Sequence, residues 1–300
     1  MTKNELIHSK RVCNTREELK HSERMCNTRE DKKNIKPLKK KIITSDECFS
    51  SSESEEIPEK IYDTSPQDIN DKFINEIIKP PCLIIVAGKS KRGKSYLIKY
   101  MLTMLCLNKK FKFGLVFCKT KFNCGYDFIE DNKVIEGYKE DILKNYLQTL
   151  QKYGEDNPLT NKQKAYGIKT NIPPSFIVFD DIIGQMDLNT NFMSEFLTTY
   201  RHYNITLITA TQYLFKVPPL FREQADIAII FYQNTKKSID ACYETYGQEF
   251  ENAKNFKNFL IEKTSKLYHC LIYIEDGDNI ENKYIEYCAP VEYPDVIFKF

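Results

Sequence analysis

No apolar run in this sequence approaches the roughly 20 residues that a membrane-spanning helix needs. The charged opening, Met1 to Arg11, holds no apolar signal-peptide core. These absences lead to the expectation of a soluble, intracellular chain. The ten cysteines include no C-x-x-C pair and no Cys/His cluster with zinc spacing, so reduced thiols are expected and no structural metal is assigned. Glycine is scarce, at 10 of 300 residues, while hydrophobic residues reach 41% and aromatics 13%. That composition excludes a collagen-like or wholly disordered polymer.

At roughly 150 residues per domain, the length allows one or two domains. Net charge is also low, at +2, but it is unevenly distributed. Residues 1–41 hold 13 Lys and Arg against 6 acidic residues, and residues 42–60 hold 1 against 6, leaving 30 against 30 for the remainder. Nucleic-acid binding would therefore have to come from local patches or from the basic arm. Within the arm, Arg11 to Glu17 (RVCNTRE) recurs as Arg24 to Glu30 (RMCNTRE), too few copies for a solenoid. Residues 1–60 are read as a disordered charged tail and residues 61–300 as the folded domain.

From Ile61 onward, short apolar runs alternate with amphipathic stretches. Cys82 to Ala87, Phe113 to Cys118, Phe176 to Phe179, Ile205 to Ala210 and Ile227 to Tyr232 read as buried strands. Ser95 to Leu107, Lys139 to Tyr153, Thr190 to His202 and Ser238 to Glu262 read as helices. Leu267 to Glu275 and Lys283 to Cys288, joined across Asp276 to Asn279, read as a hairpin. Strands separated by helices predict an α/β fold with a mainly parallel sheet covered on both faces.

The strongest motif is Gly88-Lys89-Ser90-Lys91-Arg92-Gly93-Lys94-Ser95, a complete G-x-x-x-x-G-K-[ST] phosphate loop between a predicted strand and a predicted helix. Glycines at its ends let backbone N–H groups turn around a β-phosphate, and the helix N-terminus adds positive potential. Lys94 would reach the β/γ oxygens, and the Ser95 hydroxyl would ligate Mg²⁺, with ATP or GTP as the expected ligand. Such a loop needs a carboxylate at the end of a neighbouring buried strand, and Phe176-Ile177-Val178-Phe179-Asp180-Asp181 supplies two. Asp180 is expected to hold Mg²⁺ through a water and Asp181 to polarise the attacking water. Gln212, just past the strand Ile205 to Ala210, could sense the γ-phosphate or orient that water. His202 reads as a helix-end histidine.

The loop GKSKRGKS, FIVFDD and YRHYNITLITATQYLFKVPPLFREQAD together resemble the FtsK/HerA superfamily, and within it the DNA-packaging ATPases of nucleocytoplasmic large DNA viruses and virophages, the poxvirus type included. The likeness spans about Pro80 to Pro290. It implies a RecA-like P-loop core, a homo-oligomeric ring, ATP and Mg²⁺ as cofactors, and double-stranded DNA as the partner, with capsid proteins a further partner. It also implies a place in the virion or in viral factories of the host cytoplasm. The family's arginine finger matches Arg201, and Arg222 is a second candidate. Two departures stand out: Asp181 occupies the position usually held by Glu, and Lys89, Lys91 and Arg92 replace the usual small residues of the loop.

The expectation is thus an ATP-driven translocase that packages a viral genome. A RecA-type helicase or recombination ATPase on single strands is the alternative. A small-molecule kinase would need an arginine-lined lid, which is not evident. A non-enzymatic scaffold fits poorly with the intact set Lys94, Ser95, Asp180 and Asp181.

Overall fold

Residues 41–44, 73–108, 111–122, 124–187, 190–277, 280–290 and 296–299 are described by a computed structural model. The duplicated heptapeptide and the Ser/Glu stretch lie outside these residues. The chain-order strands are β1 (Lys41–Thr44), β2 (Leu83–Ala87), β3 (Phe113–Cys118), β4 (Val134–Glu136), β5 (Ser175–Asp180), β6 (Ile205–Thr211), β7 (Ile227–Phe231), β8 (His269–Ile274), β9 (Tyr284–Cys288) and β10 (Val296–Lys299). Eight of them form one sheet in the order β4, β3, β5, β6, β2, β7, β8, β9. Strands β4 through β7 of that order run parallel, and β8 and β9 add an antiparallel edge.

The near-continuous apolar runs follow from burial on both faces. Ile84 and Val86 of β2 enter a core with Leu97, Met101 and Leu105, while Leu83, Ile85 and Ala87 enter the opposite core with Leu143, Phe196 and Leu260. Helix α1 (Lys94–Leu107) covers the first face, burying Leu97, Ile98 and every residue from Tyr100 to Cys106. Helix α2 (Glu140–Asp156) covers the second with Leu143, Leu147 and Leu150, spaced to share one face. On the same side lie α4 (Asn191–Thr199), α6 (Lys236–Tyr246) and α7 (Ala253–Thr264); the short α3 (Asn161–Ala165) and α5 (Pro219–Glu223) join the larger elements. Among the described residues, no helix is long and apolar enough to cross a membrane.

The predicted elements recur within a few residues, with four differences. The stretch read as one helix over Ser238 to Glu262 is two, broken after Gly247, whose backbone N–H closes the first helix on the Tyr243 carbonyl. The helix predicted through His202 ends at Thr199 and tightens into a 3₁₀ turn, Tyr200–Tyr203, closed by Asn204 at φ 54. Edge strand β4 has only three residues, too few to show a period. Strand β1 lies inside the stretch read as tail, yet it pairs in parallel with β10, from Lys41 opposite Val296 to Thr44 opposite Lys299.

Candidate nucleotide and magnesium site

Strand β6 lies between β2 and β5, so the loop after β2 and the acids ending β5 open at the same sheet edge, on either side of Gln212. Ligand sites of open parallel sheets form at such carboxyl ends. Here a cleft of about 580 Å³ is lined by Lys91, Gly93, Lys94, Ser95, Asp180, Asp181 and Gln212 together with Cys118, Tyr96 and Tyr268.

The phosphate loop leaves β2 at Gly88, whose N–H donates to the Thr211 carbonyl at 3.1 Å. A Cβ on Gly88 would meet the Phe231 Cβ at 2.5 Å, so glycine is required there by close packing. Gly93 is required by conformation, at φ 109, and as N-cap of α1 it places no side chain over the first-turn N–H groups. Free first-turn donors and the helix dipole favour an anion at this end of α1. Lys94 Nζ lies 2.5 Å from the Gly88 carbonyl and 3.1 Å from the Lys89 carbonyl, curled over the loop. Burial holds its ammonium below the ordinary lysine range, and Asp180 and Asp181 partly offset that. Arg92 turns away from the loop interior: its guanidinium donates to the Ser265 carbonyl at 3.4 Å and stacks over the Tyr232 ring at 4.5 Å.

Burial raises the Asp180 carboxyl above the usual carboxylate range, and neighbouring Asp181 adds to the effect. The Tyr126 hydroxyl, donating at 3.1 Å, and Lys94 act the other way. A buried carboxylate gains from a nearby divalent cation, and Asp180 and Ser95, which line the same cleft, carry hard oxygen donors of the kind Mg²⁺ takes. Asp181 sits at φ 54, an uncommon conformation for a non-glycine residue, held by its N–H to the Ala210 carbonyl at 3.0 Å. Its Oδ2 accepts from Gln212 Nε2 at 2.8 Å. The two acids therefore face different partners, Asp180 the phenol of Tyr126 and Asp181 the amide of Gln212.

Arg201 is at the opposite edge of the sheet. It donates from Nη2 to both oxygens of Asp226, each at 2.9 Å, and Asp226 in turn accepts from the Leu83 N–H at 2.6 Å. Leu83 begins β2 and Gly88 follows its end, so a whole strand separates Arg201 from the loop of its own chain. Arg222 packs on α6, donating to Thr245 at 3.1 Å and to the Ala241 carbonyl at 3.4 Å. Neither arginine lines the cleft. His202 is exposed within the 3₁₀ turn. Sequence reasoning missed Tyr126, which reaches Asp180 from a loop without periodicity, and Tyr96 and Tyr268 in the cleft wall.

Known proteins share this fold. The genome packaging NTPase B204 of Sulfolobus turreted icosahedral virus 2, solved with ATP-gammaS, is 19% identical, with a TM-score of 0.50 over 72% of this chain and all of that one. Its AMP complex gives a TM-score of 0.51 over 71% of this chain. The uncharacterized protein 075L of Invertebrate iridescent virus 6 is 23% identical over 207 residues, covering 68% of this chain and 74% of that protein. The structural likeness establishes that this chain shares the α/β fold of B204. With residues 71–284 matching the Poxvirus A32 protein profile, most of the folded part is accounted for, and the chain belongs to the Poxvirus A32 protein family.

Proposed function

We propose that the protein hydrolyses ATP with Mg²⁺ to drive double-stranded DNA during packaging of a viral genome. The observation that carries this reading is the hydrogen bond from Gln212 to Asp181 at 2.8 Å, which ties the residue after β6, the strand between β2 and β5, to the second acid. Family membership and the B204 likeness supply the packaging context.

Lys94 balances the β- and γ-phosphate charge while the first-turn N–H groups of α1 hold the phosphate oxygens. Ser95 and Asp180 would hold Mg²⁺, which supplies charge neutralisation at the phosphates when bound. Asp181 accepts the proton of the attacking water, and Gln212 orients that carboxylate. Arg201 acts on a neighbouring subunit in a homo-oligomeric ring, because its own loop lies at the far edge of the sheet. The basic residues among 1–39, 11 Lys and Arg against 6 acidic residues, add DNA affinity. Capsid contacts and a site of action in the viral factory or virion belong to the same reading.

ATPase rate measured without nucleic acid, with double-stranded DNA and with single-stranded DNA tests it. Stimulation by duplex DNA is expected. Stimulation confined to single strands would point to a helicase, and turnover indifferent to both would remove the translocase reading.

A further inference from the structure

The cleft has a direction. Asp180, Asp181 and Gln212 mark its terminal-phosphate end, on the β5 and β6 side of the phosphate loop. Beside Lys94 and Ser95 the cleft wall carries Tyr96 from the first turn of α1 and Tyr268, which precedes β8 on the other side of β2, while Phe122 lines it on the β3 side. A nucleotide anchored by its phosphates at the loop extends its remaining bulk toward this wall.

Tyr268 is set there by unusual local structure. Its φ is 67, a region that bulky residues avoid, and its carbonyl accepts from the Ala289 N–H at 2.9 Å. The ring lies so close to the phosphate loop that a Cβ on Gly93 would meet Tyr268 Cδ1 at 2.8 Å. Arg92 braces the same segment through the Ser265 carbonyl, three residues earlier. Tyr96 remains 44% exposed, and its ring meets that of Tyr268 edge to face, centroids 6.0 Å apart at 84°. The loop thus carries a braced, strained aromatic beside an exposed one, at the end of the cleft away from the acids.

We propose that Tyr96 and Tyr268 form the platform on which the base of the bound nucleoside triphosphate stacks. The inference rests on the ATP reading above and adds the residues that recognise the base. Stacking on aromatic faces tolerates different bases, so purine nucleotides bind within a few-fold of each other and pyrimidine nucleotides, with smaller rings, bind more weakly.

The test compares dissociation constants of the full chain for Mg-ATP, Mg-GTP, Mg-UTP and magnesium tripolyphosphate, which has the phosphates without the nucleoside. Tyr96→Ala and Tyr268→Ala should each weaken Mg-ATP about tenfold or more while leaving tripolyphosphate within about twofold. Tyr268→Phe, which keeps the ring, should match wild type. Because Tyr268→Ala disturbs a packed segment, the exposed Tyr96→Ala carries the test if the first variant unfolds. Equal loss of ATP and tripolyphosphate, or no loss of ATP, overturns the platform. Wild type that binds tripolyphosphate as tightly as Mg-ATP also overturns it but spares the phosphate loop. Wild type that binds neither overturns the ATP reading as well.

Discussion

Asp180→Asn should make the protein more stable and less able to use its ligand. In the folded state the Asp180 carboxyl titrates above the usual carboxylate range, chiefly because it is buried and secondly because Asp181 stands beside it. A folded-state value above the unfolded one means that the native state holds the proton more tightly. Stability therefore falls as pH rises from the ordinary carboxylate range through the raised value, above which the full cost of the buried charge is present. Asparagine removes that charge and can still accept from Tyr126 through its amide oxygen. Every tenfold by which burial disfavours the ionised form is worth about 1.4 kcal/mol, or roughly 3–6 °C in Tm for a domain of this size. Thermal melts without ligand, from pH 4 to pH 8, should show the Tm of wild type falling relative to that of the variant as pH rises. With Mg-ATP at about one hundred times its dissociation constant, wild type should gain about 2.7 kcal/mol and the variant much less. A lower ligand-free Tm in Asp180→Asn at pH 7, or equal stabilisation of both proteins by Mg-ATP, would refute the reasoning.

Arg201→Ala removes a half-exposed ion pair worth about 1 kcal/mol or less, so Tm should fall only by a few degrees, yet hydrolysis should drop by roughly 10³-fold if the residue serves a neighbour. Mixing it with Lys94→Ala should restore turnover; mixed rings that stay inactive while Arg201→Ala alone keeps wild-type rates would move the test to Arg222. Asp181→Asn and Gln212→Ala should each retain Mg-ATP binding and slow hydrolysis, and the double variant should be less impaired than the product of the two effects, as measured by single-turnover rates. A chain starting at Lys40 keeps β1 and should retain basal ATPase, while the slope of log K against log salt on duplex DNA should shrink by about 0.9 for each DNA phosphate that the arm had neutralised. An unchanged slope would take the basic arm out of DNA binding.

The site was legible in the sequence where chemistry is local along the chain. The loop 88–95 and the acids 180 and 181 each sit at a strand end that apolar runs mark, and Gln212 follows a seven-residue buried strand. What escaped depends on which strands are neighbours. Burial on both faces makes β2, β5 and β6 look alike in sequence, so nothing local tells that β6 lies between the other two. Arg201 shows the same limit: its pairing with Asp226, 25 residues on, follows from β6 and β7 both flanking β2. Tyr126 and Tyr268 leave no periodic signal, because one lies in a loop and the other at a strained turn before a strand.

Strand β6 also binds the two halves of the site into one mechanical unit. Its end holds the phosphate loop through the Gly88 N–H on Thr211 and the acidic turn through the Asp181 N–H on Ala210, and Gln212 follows directly. Every residue of the strand is buried, so it has little room to bend, and close-packed interiors transmit displacement instead of absorbing it. At its other end the chain enters β6 through the left-handed Asn204, three residues after Arg201, whose partner Asp226 is hydrogen-bonded to the first residue of β2. A pull on Arg201 from an adjacent subunit would thus load β2 and β6 together, the two strands that lead into Gly88 and Gln212. Strands β2 and β6 thus run from the edge where Arg201 pairs with Asp226 to the edge where Gly88 and Gln212 lie.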